Sequence, residues 1–373
     1  IVIACDSFKG SVSSVEAGEA VAAGLRDVWP KAEVIVIPMA DGGEGTADTM
    51  ARIVGAEPHY CTAHDPLGNI IDTRYFIRDD HAYIDTAVAS GLTLIDDSRR
   101  NPAVTTSYGT GELILDALHY GCRHIYLGLG GSATNDAGVG LLNALGYRFS
   151  DKNGHTVGYG GYEVGRITGI NNSQRTPLLD GVTVTAICDV SNPLCGSSGA
   201  SYVFGPQKGA TPQMIRQLDS ALSLFAKVVE GHIGRDLSQT PAAGAAGGIG
   251  FALKALLGAQ IRPGAETILD LCRFDDLIAD ADLVITGEGR LDTQTLMGKA
   301  PAAVLRRALA YNIPVIAIGG TIDPNSGSQL KEAGFSRLYA ISDPALTLEQ
   351  NMTRETTLRN IRRVITTIYD PIT

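Results

Sequence analysis

The chain has 373 residues, 44% hydrophobic and 19% charged, a globular composition long enough for one large domain or two ordinary ones. A formal charge of -10 argues against general binding to nucleic acid or to an anionic membrane surface. No apolar run reaches the ~18 residues of a spanning helix. The six cysteines, at 5, 61, 122, 188, 195 and 272, have neither zinc nor redox spacing. With an opening run too short for a signal peptide, they give the expectation of reduced thiols in the cytoplasm.

Along the chain, apolar β-branched runs at 1–4, 34–37, 124–127, 182–187, 283–285, 315–318 and 338–341 read as strands. Most are continuously apolar, as strands buried on both faces should be. Helical stretches alternate with several of them. After the first run, Ser13 and Glu16 have the spacing of a capping box, and the helix they open ends before Pro30. Between 64 and 105 the texture changes. Residues 72–77 and 82–86 read as shorter strands of a hairpin around Arg78-Asp79-Asp80-His81. Thr211-Pro212 opens a further helix, with Ile215, Leu218, Leu222, Phe225 and Val229 on its apolar face and Gly231 at its end. The stretch 241–250, PAAGAAGGIG, reads equally well as a loop packed against another backbone or as a flexible wall of a ligand cleft. Strands alternating with helices give an α/β chain with largely parallel sheets. We expect two α/β domains with the site in the cleft between them. One is Rossmann-like and discontinuous, 1–63 plus 275–373; the other is the central segment, 64–274.

In open parallel sheets, ligands bind beyond the carboxyl ends of the strands. The turns after the apolar runs therefore carry most weight: 6–11, 41–46, 128–136, 189–193 and 287–292. Most carry a carboxylate among glycines, which suits oxygen-ligand metal binding and close backbone approach to phosphate. Each turn by itself also fits a plain turn or a helix cap. Asp6, Ser7 and Lys9 set a cation beside a carboxylate, ready to hold a substrate carboxylate, and Arg290 is the competing cation. Asp41, Glu44 and Glu288 are candidate metal ligands, although Glu44 also reads as a helix cap. Gly130, Gly131, Ser132, Thr134 and Asn135 read as an anion nest for nucleotide phosphates. Gly287, Glu288 and Gly289 join that nucleotide set. Gly128, Gly130 and Ala133 also match the dinucleotide pattern G-x-G-x-x-A, but Asp136 would repel a pyrophosphate there without a metal. Asp189 follows the strongest β-branched run of the central segment and has no cation beside it in sequence. It is the candidate general base, with Asp41 next and Lys9 as the catalytic cation. There is no Walker A loop, no protein-kinase signature and no G-x-S-x-G elbow. His64, in HDPLG, reads as part of a turn.

These turns, in this order, resemble the type 1 glycerate kinase family. The matching blocks are DSFKGS (6–11), MADGGEGT (39–46), DPLG (65–68), TSYGTGELI (106–114), LGGSATNDAG (129–138), DVSNPLCG (189–196), FGPQKGA (204–210), AGAAGGIG (243–250) and TGEGRLD (286–292). The resemblance implies two α/β domains, ATP and Mg²⁺ as cofactors, and transfer of the γ-phosphoryl group to D-glycerate, giving 2-phosphoglycerate in bacterial members. The family pattern has a proline where Cys5 stands here. The rival readings are an NAD(P)-dependent dehydrogenase of a small hydroxy acid, resting on residues 128–133, and a non-catalytic two-domain ligand-binding protein. An ATP and glycerate site leaves no place for nucleic-acid or membrane partners.

Overall fold

In the computed structural model, which describes residues 1–368, the strands run in chain order as follows. The first seven are β1 (Val2–Cys5), β2 (Ile35–Val36), β3 (Glu57–His64), β4 (Ile70–Arg78), β5 (His81–Asp85), β6 (His124–Gly128) and β7 (Arg148–Ser150). The others are β8 (Gly169–Asn171), β9 (Thr183–Ile187), β10 (Gln260–Arg262), β11 (Val284–Leu291), β12 (Val315–Ile322) and β13 (Arg337–Ala340). The chain forms two units: Ile1–Asp41 with the chain from Pro263 on, and Gly42–Arg262.

The first unit holds a five-stranded, all-parallel sheet in the order β13-β12-β11-β1-β2. Counted along the chain within the unit, that is the doubly wound order 2-1-3-4-5, whose switch point falls between β1 and β11. The strands are apolar because helices cover them. The helix Ser14–Val28 packs with Arg354–Ile365 through Ala17, Val21, Leu25, Ile361 and Ile365, while Ala300–Ala310 packs on β1 and β11. The Ser13 capping box forms as the spacing predicts: Ser13 accepts from the Glu16 N–H, and Glu16 accepts from the Ser13 N–H at 2.9 Å. Strands β11 and β12 run further than their apolar runs suggest. Glycines 287, 289, 319 and 320 read as turn residues, yet the ladder continues from Val284↔Val315 to Leu291↔Ile322. Residues 287–291 are therefore strand, which corrects the expected turn.

The second unit holds a six-stranded sheet in the order β10-β9-β6-β5-β4-β3, parallel from β10 to β5 and antiparallel from β5 to β3. The expected hairpin is β4–β5, turning through Asp79 at φ 54°. Its neighbour β3 is a half-exposed edge strand, too polar for a strong period-2 signal. The helix Pro212–Ile233 buries Ile215, Leu218, Leu222, Phe225 and Val229, but it passes through Gly231 and stops at Gly234, the left-handed cap.

Residues 42–63 and 263–274 fall in the opposite units from the partition expected. The helix Thr46–Val54 packs on β4 and β5, and β3 pairs with β4 along its whole length. The helix Gly264–Leu271 packs on Ala300–Ala310. Residues 242–250 are buried. A Cβ on Gly247 would lie 1.9 Å from the Thr134 carbonyl oxygen, and the Gly247 carbonyl accepts the Ala137 N–H at 3.0 Å. The Gly/Ala stretch is thus backbone packed on backbone, not a flexible wall. No described helix is long and apolar enough to cross a membrane.

Candidate active site

In the first unit, chemistry collects at the switch point. Asp6 directly follows β1, whose Cys5 is opposite Gly287 of β11, so Asp6 at the end of one strand lies beside Glu288 within the next. Asp6 is 7% exposed, its N–H donates to the Gly287 carbonyl at 2.8 Å, and its Oδ1 accepts the Ser7 N–H at 2.7 Å. Lys9, on the exposed turn after it, donates Nζ to Asp41 Oδ2 at 2.6 Å. Glu288 is buried, with Oε1 accepting the Thr295 hydroxyl at 2.7 Å and Oε2 facing Lys299 Nζ at 3.2 Å. Burial pushes the Asp6 carboxyl up to about 6, the negative charges of Asp41 and Glu288 push the same way, and the Ser7 N–H and Lys9 oppose them. Burial opposes the Lys9 ammonium, but the hydrogen bond and charge of Asp41 outweigh it and its pKa is raised. The unit therefore brings together Asp6, Ser7, Lys9, Asp41, Glu288 and Lys299: three carboxylates, of which Asp41 and Glu288 raise the pKa of Asp6, answered by two lysines. Arg290 lies outside this set. It is exposed and faces Asp292 at 3.3 Å and Asp323 at 3.1 Å.

In the second unit, the loop after β6 is held from many sides. Its N–H groups at Leu129, Gly130, Ala133 and Ala137 donate to the carbonyls of Ile187, Gly42, Ser90 and Gly247. A Cβ on Gly130 would sit 2.3 Å from Gly43 Cα, so this glycine serves backbone packing. Of the amides expected to form an anion nest, that of Gly130 is thus committed to the Gly42 carbonyl. Thr134 and Asn135 are fully buried, and among the described residues Thr134 Oγ1 and Asn135 Oδ1 have no hydrogen-bond partner. Ser132 is buried, while Gly131 is exposed beside Glu44.

Asp136 is a helix cap. Its Oδ2 accepts the Ser107 N–H (2.8 Å), the Ser107 hydroxyl (2.9 Å) and the Gly140 N–H (3.2 Å), and its Oδ1 accepts the Gly138 N–H (3.1 Å). Ser107 and Gly138 are the N-caps of the helices Tyr108–Tyr120 and Val139–Ala144, so one carboxylate serves two helix starts. Burial raises its pKa against those hydrogen bonds.

Asp85, at the end of β5, caps the helix Thr46–Val54. It accepts the Gly45 N–H at 2.9 Å and the Ala47 N–H at 3.0 Å, so that helix is capped by Asp85 and not by Glu44. Burial pushes Asp85 up to about 7, against those two bonds. Glu44 is exposed, and it belongs to the second unit while Asp41 closes the first segment of the first unit.

Sequence reasoning missed Lys208. It is 2% exposed and donates Nζ to Ser132 Oγ at 2.9 Å and to the Thr134 carbonyl at 2.7 Å. Burial pushes its ammonium down to about 7, opposed by the charge of Asp136. A lone lysine among Gly, Pro and Gln reads as solvated. The only hint was its place in the block FGPQKGA. Asp189 directly follows the β9 run, exposed, on a turn whose Asn192 side chain donates to the Ser198 carbonyl at 2.8 Å. His64 sits at the expected turn, where Asp65 accepts the Leu67 and Asn69 N–H groups and His64 Nδ1 faces Glu112 at 2.9 Å.

A doubly wound sheet with buried carboxylates at its switch point, faced by two lysines, is the arrangement of an α/β enzyme of small polar ligands. The chain belongs to the glycerate kinase family, whose model matches residues 1–372. It is 43% identical to a glycerate kinase of Haemophilus influenzae over 372 residues, 98% of each chain. It is 43% identical to the glycerate 2-kinase of Escherichia coli K12 over 353 residues, 94% of this chain and 92% of that one. Among solved structures, a Salmonella typhimurium LT2 protein described as glycerate kinase 2 superposes with a TM-score of 0.85 at 40% identity, covering 99% of this chain and 96% of the other.

Proposed function

We propose that this protein transfers the γ-phosphoryl group of ATP to the C2 hydroxyl of D-glycerate, giving 2-phosphoglycerate, in the cytoplasm and with Mg²⁺. The observation that carries this reading is the carboxylate–lysine cluster at the switch point of the first unit, in a chain that matches the family along its length.

The donor set fits a hard divalent cation. Asp6, Asp41 and Glu288 offer only carboxylate oxygens, and their repulsion is already strong enough to help lift Asp6 to about 6. Asp41 and Glu288 would hold Mg²⁺, which supplies neutralisation of phosphate charge. Lys9, whose side chain is exposed, holds the glycerate carboxylate as a point charge, with Asp6 and Ser7 beside it and Arg290 as the alternative cation. Gly287, Glu288 and Gly289 bring β11 to the nucleotide. The loop Gly130, Gly131, Ser132, Thr134 and Asn135 is the phosphate-binding candidate of the second unit, on its glycines and its place in the family match. The glycerate hydroxyl oxygen takes the phosphoryl group, ADP leaves, and Asp189 receives the proton.

The test is ADP release from protein, ATP and Mg²⁺ with a panel of hydroxy acids, and ³¹P NMR to place the phosphate on the product. Turnover with D-glycerate and a C2 phosphomonoester are expected. NAD(P)H-dependent turnover with no ADP release would favour the dehydrogenase reading instead. Ligand-induced stabilisation without turnover would favour a binding protein.

A further inference from the structure

Away from the residues discussed so far, one cluster has the chemistry of a metal site. His81 opens β5 and His124 opens β6, and the parallel register sets them directly opposite each other. Two residues on, Tyr83 and Tyr126 face each other in the same register, on the same face of the sheet. The four rings form a stacked tile. The His81–His124 centroids are 4.5 Å apart at 27°, His81–Tyr126 6.1 Å at 15°, and Tyr83–Tyr126 5.2 Å at 14°. This stacking fixes where the imidazole nitrogens point.

Asp80, in the turn just before β5, reaches both rings. His81 Nδ1 lies 2.9 Å from its Oδ1, and His124 Nε2 lies 3.7 Å from its Oδ2. The Asp80 carbonyl in turn accepts the N–H groups of Arg123 (2.7 Å) and His124 (3.1 Å), which ties the turn to the start of β6. One ligand atom from each of Asp80, His81 and His124 lies within 4.8 Å of the other two. A tetrahedral ion with arms of ~2.0–2.1 Å has ligand–ligand edges of about 3.3 Å. The separations of 2.9 and 3.7 Å, one to each oxygen of the Asp80 carboxylate, are of that size.

From this geometry we infer that Asp80, His81 and His124 form a binding site for a divalent transition-metal ion of the zinc type. Two imidazoles and one carboxylate fill three positions, and the half-exposed side chains leave a fourth to water. Nitrogen donors select such an ion over Mg²⁺, which takes oxygen. The tyrosines behind the imidazoles are part of the site, because they hold the rings that would otherwise have to be ordered on binding. The site stands at the amino-terminal ends of β5 and β6, whereas Asp85 and the loop after Gly128 stand at their carboxyl-terminal ends. The ion therefore clamps the β4–β5 turn onto β6 and stabilises the second unit without taking part in phosphoryl transfer.

The test uses Co²⁺ as a visible probe and Zn²⁺ as competitor, on the full chain without ATP, which would chelate both. One equivalent of Co²⁺ is expected to give the intense visible bands of a tetrahedral or five-coordinate site. Zn²⁺ is expected to abolish them, and Mg²⁺ in large excess is expected to leave them. H124A and H81A are expected to bind Co²⁺ at least about tenfold more weakly and to lose the Zn²⁺-dependent rise in melting temperature. Both variants are expected to keep the parent's circular dichroism and its Mg-ATP turnover within about twofold. Absence of the bands, their survival in both variants, or their loss to Mg²⁺ would each overturn the inference.

Discussion

Replacing Asp136 by alanine tests whether a single buried carboxylate holds two helix starts in the second unit. The side chain is 1% exposed and accepts three backbone N–H groups and one hydroxyl. Alanine leaves those of Ser107, Gly138 and Gly140 without an acceptor. Each orphaned donor in a dry site costs ~1–3 kcal/mol, so the three together cost about 3–6 kcal/mol after partial relaxation. For a domain of this size, 1 kcal/mol moves the melting temperature by ~2–4 °C, which puts the expected fall at about 6–24 °C. Asp136→Asn keeps the shape but turns an amide N–H₂ toward part of the donor set, so an intermediate fall is expected. Differential scanning calorimetry of the parent and both variants, with a Mg²⁺ titration of activity at a temperature where all are folded, separates the possibilities. A fall below about 3 °C for the alanine variant would mean that the N–H groups find water, and the capping argument would fail. An asparagine variant with the parent's melting temperature and a weakened Mg²⁺ dependence would make Asp136 a metal ligand instead.

Other outcomes follow from the same geometry. Asp85 is raised from 3.8 to about 7 on folding, so its stabilising contribution is complete below pH ~4 and is lost as pH rises through 7. The change is about 4 kcal/mol in all, and Asp85→Asn should flatten that part of a denaturation-versus-pH curve. Lys208→Met should raise the KM for ATP about tenfold with a melting temperature within a few degrees of the parent, because the lost hydrogen bonds are offset by relief of a buried charge. An unchanged KM would remove the 129–138 loop from nucleotide binding. Asp189→Asn should lower kcat by ~10²–10⁴ with little change in ATP affinity; a loss confined to Mg²⁺ affinity would reassign it as a ligand. Lys9→Ala should depress kcat/KM for glycerate severely, with Arg290→Ala nearly silent, and the reverse order would exchange their roles.

Much of the architecture was legible because buried parallel strands announce themselves as uninterrupted apolar runs. Residues 1–4, 124–127 and 182–187 are the plain cases, each within a residue or two of the strand that forms. What stayed hidden depends on partners remote in sequence. Gly287 and Glu288 look like a turn until β12 pairs with them. β3 is polar because it lies at a sheet edge, where only one neighbour constrains it. Lys208 looks solvated until Thr134, far upstream, supplies a carbonyl for it. The carboxylates of the first unit were legible as a group, since each follows an apolar run. What separates them was not, because burial and not sequence spacing sets the buried Asp6 and Glu288 apart from the more open Asp41.

The pairing of β1 with β11 sets a clock on synthesis. Val2 lies opposite Val284, and β1 is an interior strand of its sheet, so the first segment of that unit has no complete sheet to join until β11 and β12 leave the ribosome. The whole of Gly42–Arg262 must be made in between. At ~5–20 residues per second, that is a wait of roughly ten to forty seconds. During it, the apolar run 1–4 and the helix Ser14–Val28 lack their partners, while the second unit already has everything it needs to fold. Slowed translation of the middle of the message, or a chaperone that holds the nascent amino terminus, should therefore change the yield of this chain more than that of a chain whose units are contiguous.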